Sequence, residues 1–413
     1  MRLTVLGVNR FSRATSSGHY IPQIDGLRCI SILLVLAHHV FAAYLELTHR
    51  LGTEQLPRDW AMISSQSPLV AWALHLAFGV PLFCTISGFV LTVPFALAYL
   101  KGSPPPSCKS YLLRRLIRLE PPYVLNLALL FLVIVMPWWG GPDPFAHFSS
   151  YFRAFAPHLL ASLFYLHGAV YGQASWINGV AWTLEIEIQF YLLLPFLAKL
   201  FRWRRDTSRR IILLVLIIGA GLIAQFVVPR VASARLSLSL PVLLHFFIAG
   251  VLLADLYVDP PPALQFGPRM GDVLAVLSGA LIVYVLHWNP QFAWIEPLLV
   301  IAFCWAIFRG AFASHLFQLP ILTIIGGMSY TVYLYHFAIV RWLMPLTVRI
   351  FPPAYALWWD AAAQFAMMLP PVLGLSAVLF LLTEKPFMVL SHRLSRRSQP
   401  DSVAASAAKA ARV

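Results

Sequence analysis

Long apolar stretches, separated by short polar or basic segments, dominate the chain. A helix needs about 20 predominantly apolar residues to cross the hydrocarbon core of a bilayer. Stretches of that kind cover roughly 27–45, 76–99, 121–138, 180–201, 211–228, 240–257, 271–288, 295–309, 326–344 and 358–382. The pattern predicts an all-α fold, a polytopic membrane helix bundle of about ten transmembrane helices. His158–Gly168, at eleven residues, is too short to cross and is expected as a re-entrant or interfacial segment. In the second stretch Gly79, Ser87 and Gly88 are small enough to let a neighbouring helix approach closely.

Composition narrows the class. With 60% hydrophobic and only 11% charged residues, the chain has too little charge to clothe a soluble protein of 413 residues. The formal charge of +14 is gathered in short clusters around Arg114–Arg118, Arg202–Arg210 and Arg393–Arg397. In a membrane protein such clusters first report orientation, because Lys and Arg accumulate in cytoplasmic loops. No nucleic-acid partner is expected. Ten crossings then place both termini in the cytoplasm, in a protein of the cell membrane. Residues 1–23 form a basic cytoplasmic segment without the apolar core of a signal peptide. Residues 24–390 are read as one membrane domain, and the Ala- and Ser-rich residues 391–413 as a disordered tail. Cys29, Cys84, Cys108 and Cys304 are scattered, so neither a disulfide framework nor a metal site is expected.

Candidate chemistry lies in ionisable groups inside the apolar stretches, where they are costly and a role is the default hypothesis. The first stretch begins at Asp25 and Arg28 and carries His38 and His39. Arg28 and His39 are eleven positions apart, roughly 16 Å and three turns along a helix, so they share a face. His38 points about 100° away and is expected to be supporting. Glu185 and Glu187 point to different faces of one helix, one toward the bundle interior and the other toward a loop or partner. Glu187 with a membrane histidine would make an acid–base unit, while a structural ion pair is the plainer alternative. Arg115 and Arg118 suit bidentate phosphate binding, although spacing alone favours ordinary anchoring at the membrane surface. His245 is expected to be a packing residue. A buried His/Glu site above a basic cytoplasmic patch fits a membrane enzyme, and a proton-coupled transporter or exporter equally well.

The same residues resemble the membrane acyltransferase 3 family, the O-acetylase type, over most of the chain. Asp25-Gly26-Leu27-Arg28 leading to His39 is similar to its first-helix motif, and Phe83–Phe89 to its Ser-Gly-Phe segment. Arg115-x-x-Arg118 resembles its Arg-x-x-Arg motif. Trp182-Thr183-Leu184-Glu185-Ile186-Glu187-Ile188-Gln189-Phe190-Tyr191 matches a Trp-Ser-Leu-x-x-Glu-x-Gln-Phe-Tyr signature, which makes Glu187 rather than Glu185 the family carboxylate. Ser329–His336 and Glu384-Lys385-Pro386-Phe387 look like its closing motifs. Thr183 in place of Ser, Cys84 and Thr85, and the additional Glu185 depart from the pattern.

The resemblance implies an O-acyltransferase with acyl-CoA as donor substrate and no permanently bound cofactor. The acceptor would be a hydroxyl of a surface glycan, a glycolipid or a glycosylated small molecule. His39 and Glu187 are then the expected catalytic pair, and Arg28, Arg115 and Arg118 the donor-binding cations. Asp25, Trp182, Tyr191, Ser329 and His336 are expected around the substrates. The acyl group and oligomeric state are left open.

Overall fold

The computed structural model describes residues 20–48, 75–135, 144–203, 205–231, 233–353 and 357–397. The expected N-terminal segment up to residue 19 and the tail beyond 397 lie outside the described residues. Among the described residues the regular structure is entirely helical. The principal helices are α1 (Pro22–Thr48), α2 (Gly79–Lys101), α3 (Cys108–Val135), α4 (Pro144–Leu163), α5 (His167–Tyr171), α6 (Trp182–Leu197) and α7 (Asp206–Leu222). They continue as α8 (Leu244–Val258), α9 (Pro268–Trp288), α10 (Glu296–Arg309), α11 (Pro320–Gly327), α12 (Ser329–Ile350), α13 (Leu357–Leu379) and α14 (Lys385–Arg397).

Among the described residues seven helices are long and apolar enough to cross a membrane, or eight if α11 and α12, bent by 73°, form one broken span. Two of the expected crossings, 180–201 and 240–257, are instead the shorter helices α6 and α8, of 16 and 15 residues. Three other expectations shift. The third helix begins at Cys108, well before the start expected at 121, so Pro121 and Pro122 lie inside it, and Arg115 and Arg118 ride on its first turns. The segment expected at His158–Gly168 is the last part of the 20-residue α4, a break, and the start of α5. Tyr165 forms that break with a left-handed φ of 57°. Finally, α14 continues to Arg397, past the domain edge expected at 390.

The second half of the loop between α5 and α6 is largely buried, with Ser175, Ile177, Asn178, Val180 and Ala181 inside the bundle. Tyr123, midway along α3, donates to the carbonyl of Ser162 in the last turn of α4 (3.0 Å). Asn178 donates to Asn126 Oδ1 (2.8 Å) and to the carbonyl of Leu334 (3.0 Å). Non-helical backbone is tolerated inside a membrane protein only where protein supplies the hydrogen bonds; here Ser175 Oγ accepts the backbone N–H of Ile177 (3.2 Å), Asn178 Oδ1 accepts that of Val180 (3.4 Å), and the Tyr333 hydroxyl donates to the Val180 carbonyl.

Two close crossings set the frame. A Cβ on Gly88 would stand 2.3 Å from the carbonyl oxygen of Phe247, and one on Gly250 2.2 Å from that of Thr85. The α2–α8 contact therefore exists only because both positions lack side chains, as Gly88 led one to expect. Likewise a Cβ on Gly326 would meet the Asp25 carbonyl oxygen at 1.7 Å, which seats α11 directly on α1.

Helices α1 and α12 lie side by side and run in the same direction. Arg28 bonds Ser329, His39 packs on His336, and Glu46 pairs with Arg341, so residue numbers rise together on both helices. This agrees with both being odd-numbered crossings in the expected order. On α7, part of the basic cluster proves structural: Arg209 is wholly buried and pairs with Asp255 and, at 2.9 Å, with Asp206. Arg210 reaches the other oxygen of Asp255 at 2.8 Å. At the end of α8 the hydrogen bond from Lys101 (3.2 Å) holds the Asp259 carboxyl below its ordinary range.

Candidate functional site

A cavity with about 820 Å³ of empty space, part of it continuous with open solvent, lies between α1, α2, α3, α6 and α12. Its wall brings together six of the residues expected from the sequence: Arg28, Arg115, Arg118, Glu187, Tyr191 and Ser329. Arg28 comes from the first turns of α1, and its Nε donates to Ser329 Oγ at 3.1 Å. Arg115 and Arg118, three apart on α3, enter the same space.

Arg118 is held from behind. Its guanidinium lies 3.9 Å from Glu384, whose side chain is fully buried. The other oxygen of Glu384 accepts a hydrogen bond from Thr331 Oγ1 at 2.6 Å. Glu384 sits at the end of a π-helical turn, Phe380–Glu384, that follows α13. Such turns rotate the helix locally and recur at functional sites. The wall thus carries three guanidinium groups and one carboxylate, Glu187, with Glu384 behind it. Surplus positive charge withdrawn from bulk water favours an anionic guest with several acceptor oxygens.

The two glutamates on α6 separate as the alternation of faces required. Glu187 accepts a hydrogen bond from Ser87 Oγ (2.9 Å) at the cavity wall. Glu185 is buried on another face and accepts the backbone N–H of Gly168 (2.8 Å), tying α5 to α6. Glu187 is therefore the glutamate of the cavity and Glu185 a strut.

His39 is placed beyond the cavity, farther along α1. Its ring packs against His336 (centroids 5.1 Å apart), Phe337 (5.1 Å) and His38 (5.2 Å). Among the described residues no histidine pairs with Glu187, so the expected direct contact between His39 and Glu187 is not made. What lies between is Tyr333: it lines the cavity and its ring is 5.9 Å from that of His336. Its hydroxyl donates to the Val180 carbonyl and shares a hydrogen bond with Thr183 Oγ1. Ser329, Tyr333 and His336 occupy positions i, i+4 and i+7 of α12, one face that runs from the arginines to His39.

Of the remaining expected residues, Asp25 is buried under α11, Trp182 packs against the apolar core at the start of α6, and neither lines the cavity. His336 lies on the His39 side. His245 is buried beside Phe246, a packing position. Ser87, Thr183, Tyr333 and Glu384 join the site although none was expected there: Ser87 was read as a small packing residue and Thr183 as a departure from its motif. Each stood inside a quoted motif, but the sequence showed no partner for it.

Helices able to cross a bilayer, arranged around a cation-lined cavity, define a multi-pass membrane protein with a site suited to an anion. Comparison supplies the family: a family model described as an acyltransferase domain matches residues 21–381, and the chain belongs to that acyltransferase family. Among curated proteins it is 28% identical over 303 residues to nodulation protein 10 of Rhizobium leguminosarum bv. viciae, covering 70% of this chain and 79% of the relative. It is 23% identical over 380 residues to the peptidoglycan O-acetyltransferase OatA of Listeria monocytogenes, covering 84% of this chain but 54% of that relative. The chain thus spans about half the length of the second protein. No solved structure matches it.

Proposed function

We propose that this membrane acyltransferase takes its acyl group from acyl-CoA and delivers it to a hydroxyl of a carbohydrate-bearing acceptor. The observation that carries the reading is the convergence of Arg28, Arg115 and Arg118 in one cavity with a single lining carboxylate. The phosphates of CoA match that charge, and bidentate guanidinium–phosphate bonds would hold them. From Arg28 to His39 is roughly 16 Å along α1, a span comparable to the pantetheine arm. A donor anchored by its phosphates would therefore bring its thioester up to the histidine layer.

At that level His39 takes the proton of the acceptor hydroxyl as general base. The acceptor oxygen bonds to the thioester carbonyl carbon, the carbon–sulfur bond breaks, and the departing CoA thiolate receives the proton from His39. If His39 instead accepts the acyl group first, the same bonds change in two steps, and a burst of CoA release precedes steady turnover. Glu187, across the cavity, supplies negative charge to balance the cationic histidine through space. OatA, named for peptidoglycan O-acetylation, favours an acceptor of the surface-glycan class and an acetyl donor.

The test is acyl-CoA binding and CoA release by detergent-purified protein beside the His39→Ala variant. Saturable binding by both, with CoA release only by the wild type, is the expected result. No binding of acetyl-, succinyl- or longer acyl-CoA would refute the donor and leave proton-linked transport as the reading of the same groups.

A further inference from the structure

His336 has one nitrogen engaged and one free. The residue is fully buried. Its Nδ1 lies 3.1 Å from the carbonyl oxygen of Val332 and 2.8 Å from that of Tyr333. Carbonyl oxygens only accept hydrogen bonds, so Nδ1 must carry the proton and the neutral ring presents a bare lone pair at Nε2. That Nε2 has no hydrogen-bond partner among the described residues. A buried acceptor left unpaired is unfavourable, so a donor that reaches it only during the reaction is the natural complement.

The candidate donor is His39. Nδ1 is pinned to the backbone of α12, which turns Nε2 away from that helix, and His336 stands on the face of α12 that meets α1. The two rings are 5.1 Å apart between centroids and tilted by 47°. Facing nitrogens at that separation come within hydrogen-bond distance by a modest rotation of one ring. Catalytic hydrogen bonds are often long until substrate arrives. Of the two other rings against His39, Phe337 offers no in-plane acceptor, and His38 is its chain neighbour, which points about 100° away around α1. Glu187, the carboxylate expected for this task, is bonded to Ser87 instead.

We propose that His336 is the positioning residue for His39. Its Nε2 accepts the N–H of one His39 nitrogen, fixing the tautomer so that the other nitrogen is bare toward the acceptor hydroxyl. After proton transfer both His39 nitrogens carry hydrogen. One still donates to His336, and the other returns its proton to the leaving thiolate. A neutral imidazole does here what a carboxylate does in a serine-protease triad, without placing a fixed charge in the membrane interior. The inference rests on the reading of His39 as the base.

Two substitutions separate the two nitrogens. His336→Asn can keep the donor to the Val332 and Tyr333 carbonyls but loses the acceptor at the Nε2 position. His336→Gln keeps an amide oxygen near that position. The expected result is a kcat lowered about 10–100-fold in His336→Asn, the range for groups that orient a functional histidine. The KM for acyl-CoA should be unchanged, and His336→Gln should recover most of the loss. Wild-type kcat in His336→Asn, or equal impairment in both variants, would overturn the proposal in favour of packing. A second measurement needs no folding variant at position 336: imidazole 15N spectra of the intact protein, with His39→Ala used for assignment. They should show His336 neutral and protonated at Nδ1 only, and an Nε2–H or charged ring would overturn the inference. If His39→Ala itself turned over normally, the base assignment would fall. If His39→Ala were dead and His336→Asn fully active, only the present inference would.

Discussion

Replacing Glu384 by Gln asks whether the cations of the cavity depend on a counter-charge behind its wall. The Glu384 side chain is fully buried, Arg118 is 12% exposed, and the two lie 3.9 Å apart. At an effective dielectric near 20 that separation corresponds to a Coulomb attraction of about 4 kcal/mol. Removing one partner of a buried pair leaves an uncompensated charge and costs about 3–5 kcal/mol. Glu384→Gln retains an acceptor for Thr331, so the loss isolates the charge. Arg118→Met should cost less, because an orphaned carboxyl can take up a proton. The double variant should be about 2–3 kcal/mol more stable than the sum of the single changes, within the range of measured couplings. Unfolding in mixed micelles titrated with a denaturing detergent, followed by tryptophan fluorescence, gives the four free energies of the cycle. Additivity to within about 0.5 kcal/mol would mean that Glu384 does not hold Arg118, and the electrostatic account of the cavity wall would fail.

Three further outcomes are expected. Asp255→Asn removes the buried partner of Arg209 and should cost about 3–5 kcal/mol, whereas Asp259→Asn, a more exposed pair with Lys101, should cost under about 1 kcal/mol; equal losses in the same unfolding assay would contradict the burial of the α7–α8 pair. Gly250→Leu forces a side chain into the Thr85 backbone and should destabilise by about 1–3 kcal/mol or more, seen as loss of a monodisperse peak in gel filtration; wild-type stability would disprove the close crossing. Glu185→Gln keeps an acceptor for Gly168 and should leave acyl transfer near wild type. Glu187→Gln should lower it about 10–100-fold, the equivalent of the ~1.5–3 kcal/mol of a charged hydrogen bond, and the reverse ranking would exchange the roles of the two residues.

The parts of this protein legible in its sequence were those fixed by helical periodicity. Arg28 and His39 share a face of α1 whatever surrounds them, and Glu185 and Glu187 had to diverge. Contacts between distant segments were not legible. Nothing in the sequence tied Asp255, near the end of an apolar stretch, to Arg209 on α7. Glu384 stood in a quoted motif, yet only the π-helical turn and the packing of α3 reveal Arg118 as its partner. The prolines misled in a definite way. Pro121 and Pro122 fit the start of a helix, where a missing N–H does no harm, but inside a bundle neighbouring groups can satisfy the freed carbonyls and the helix runs through. That His39 and Glu187 make no direct contact was hidden for the same reason as the missed pairs: periodicity gives the face of a helix but not the neighbour across it.

The side-by-side arrangement of α1 and α12 also bears on how the protein is made. His39 is synthesised 297 residues before His336. At 5–20 residues per second, roughly 15–60 s pass before the ring that packs on it emerges from the ribosome. Throughout that interval the first helix must wait in the membrane with Arg28 and both histidines lacking their later neighbours. A nascent chain released before α12 would therefore carry most of the membrane helices but an incomplete candidate site, exposing a polar face for quality-control proteases to recognise.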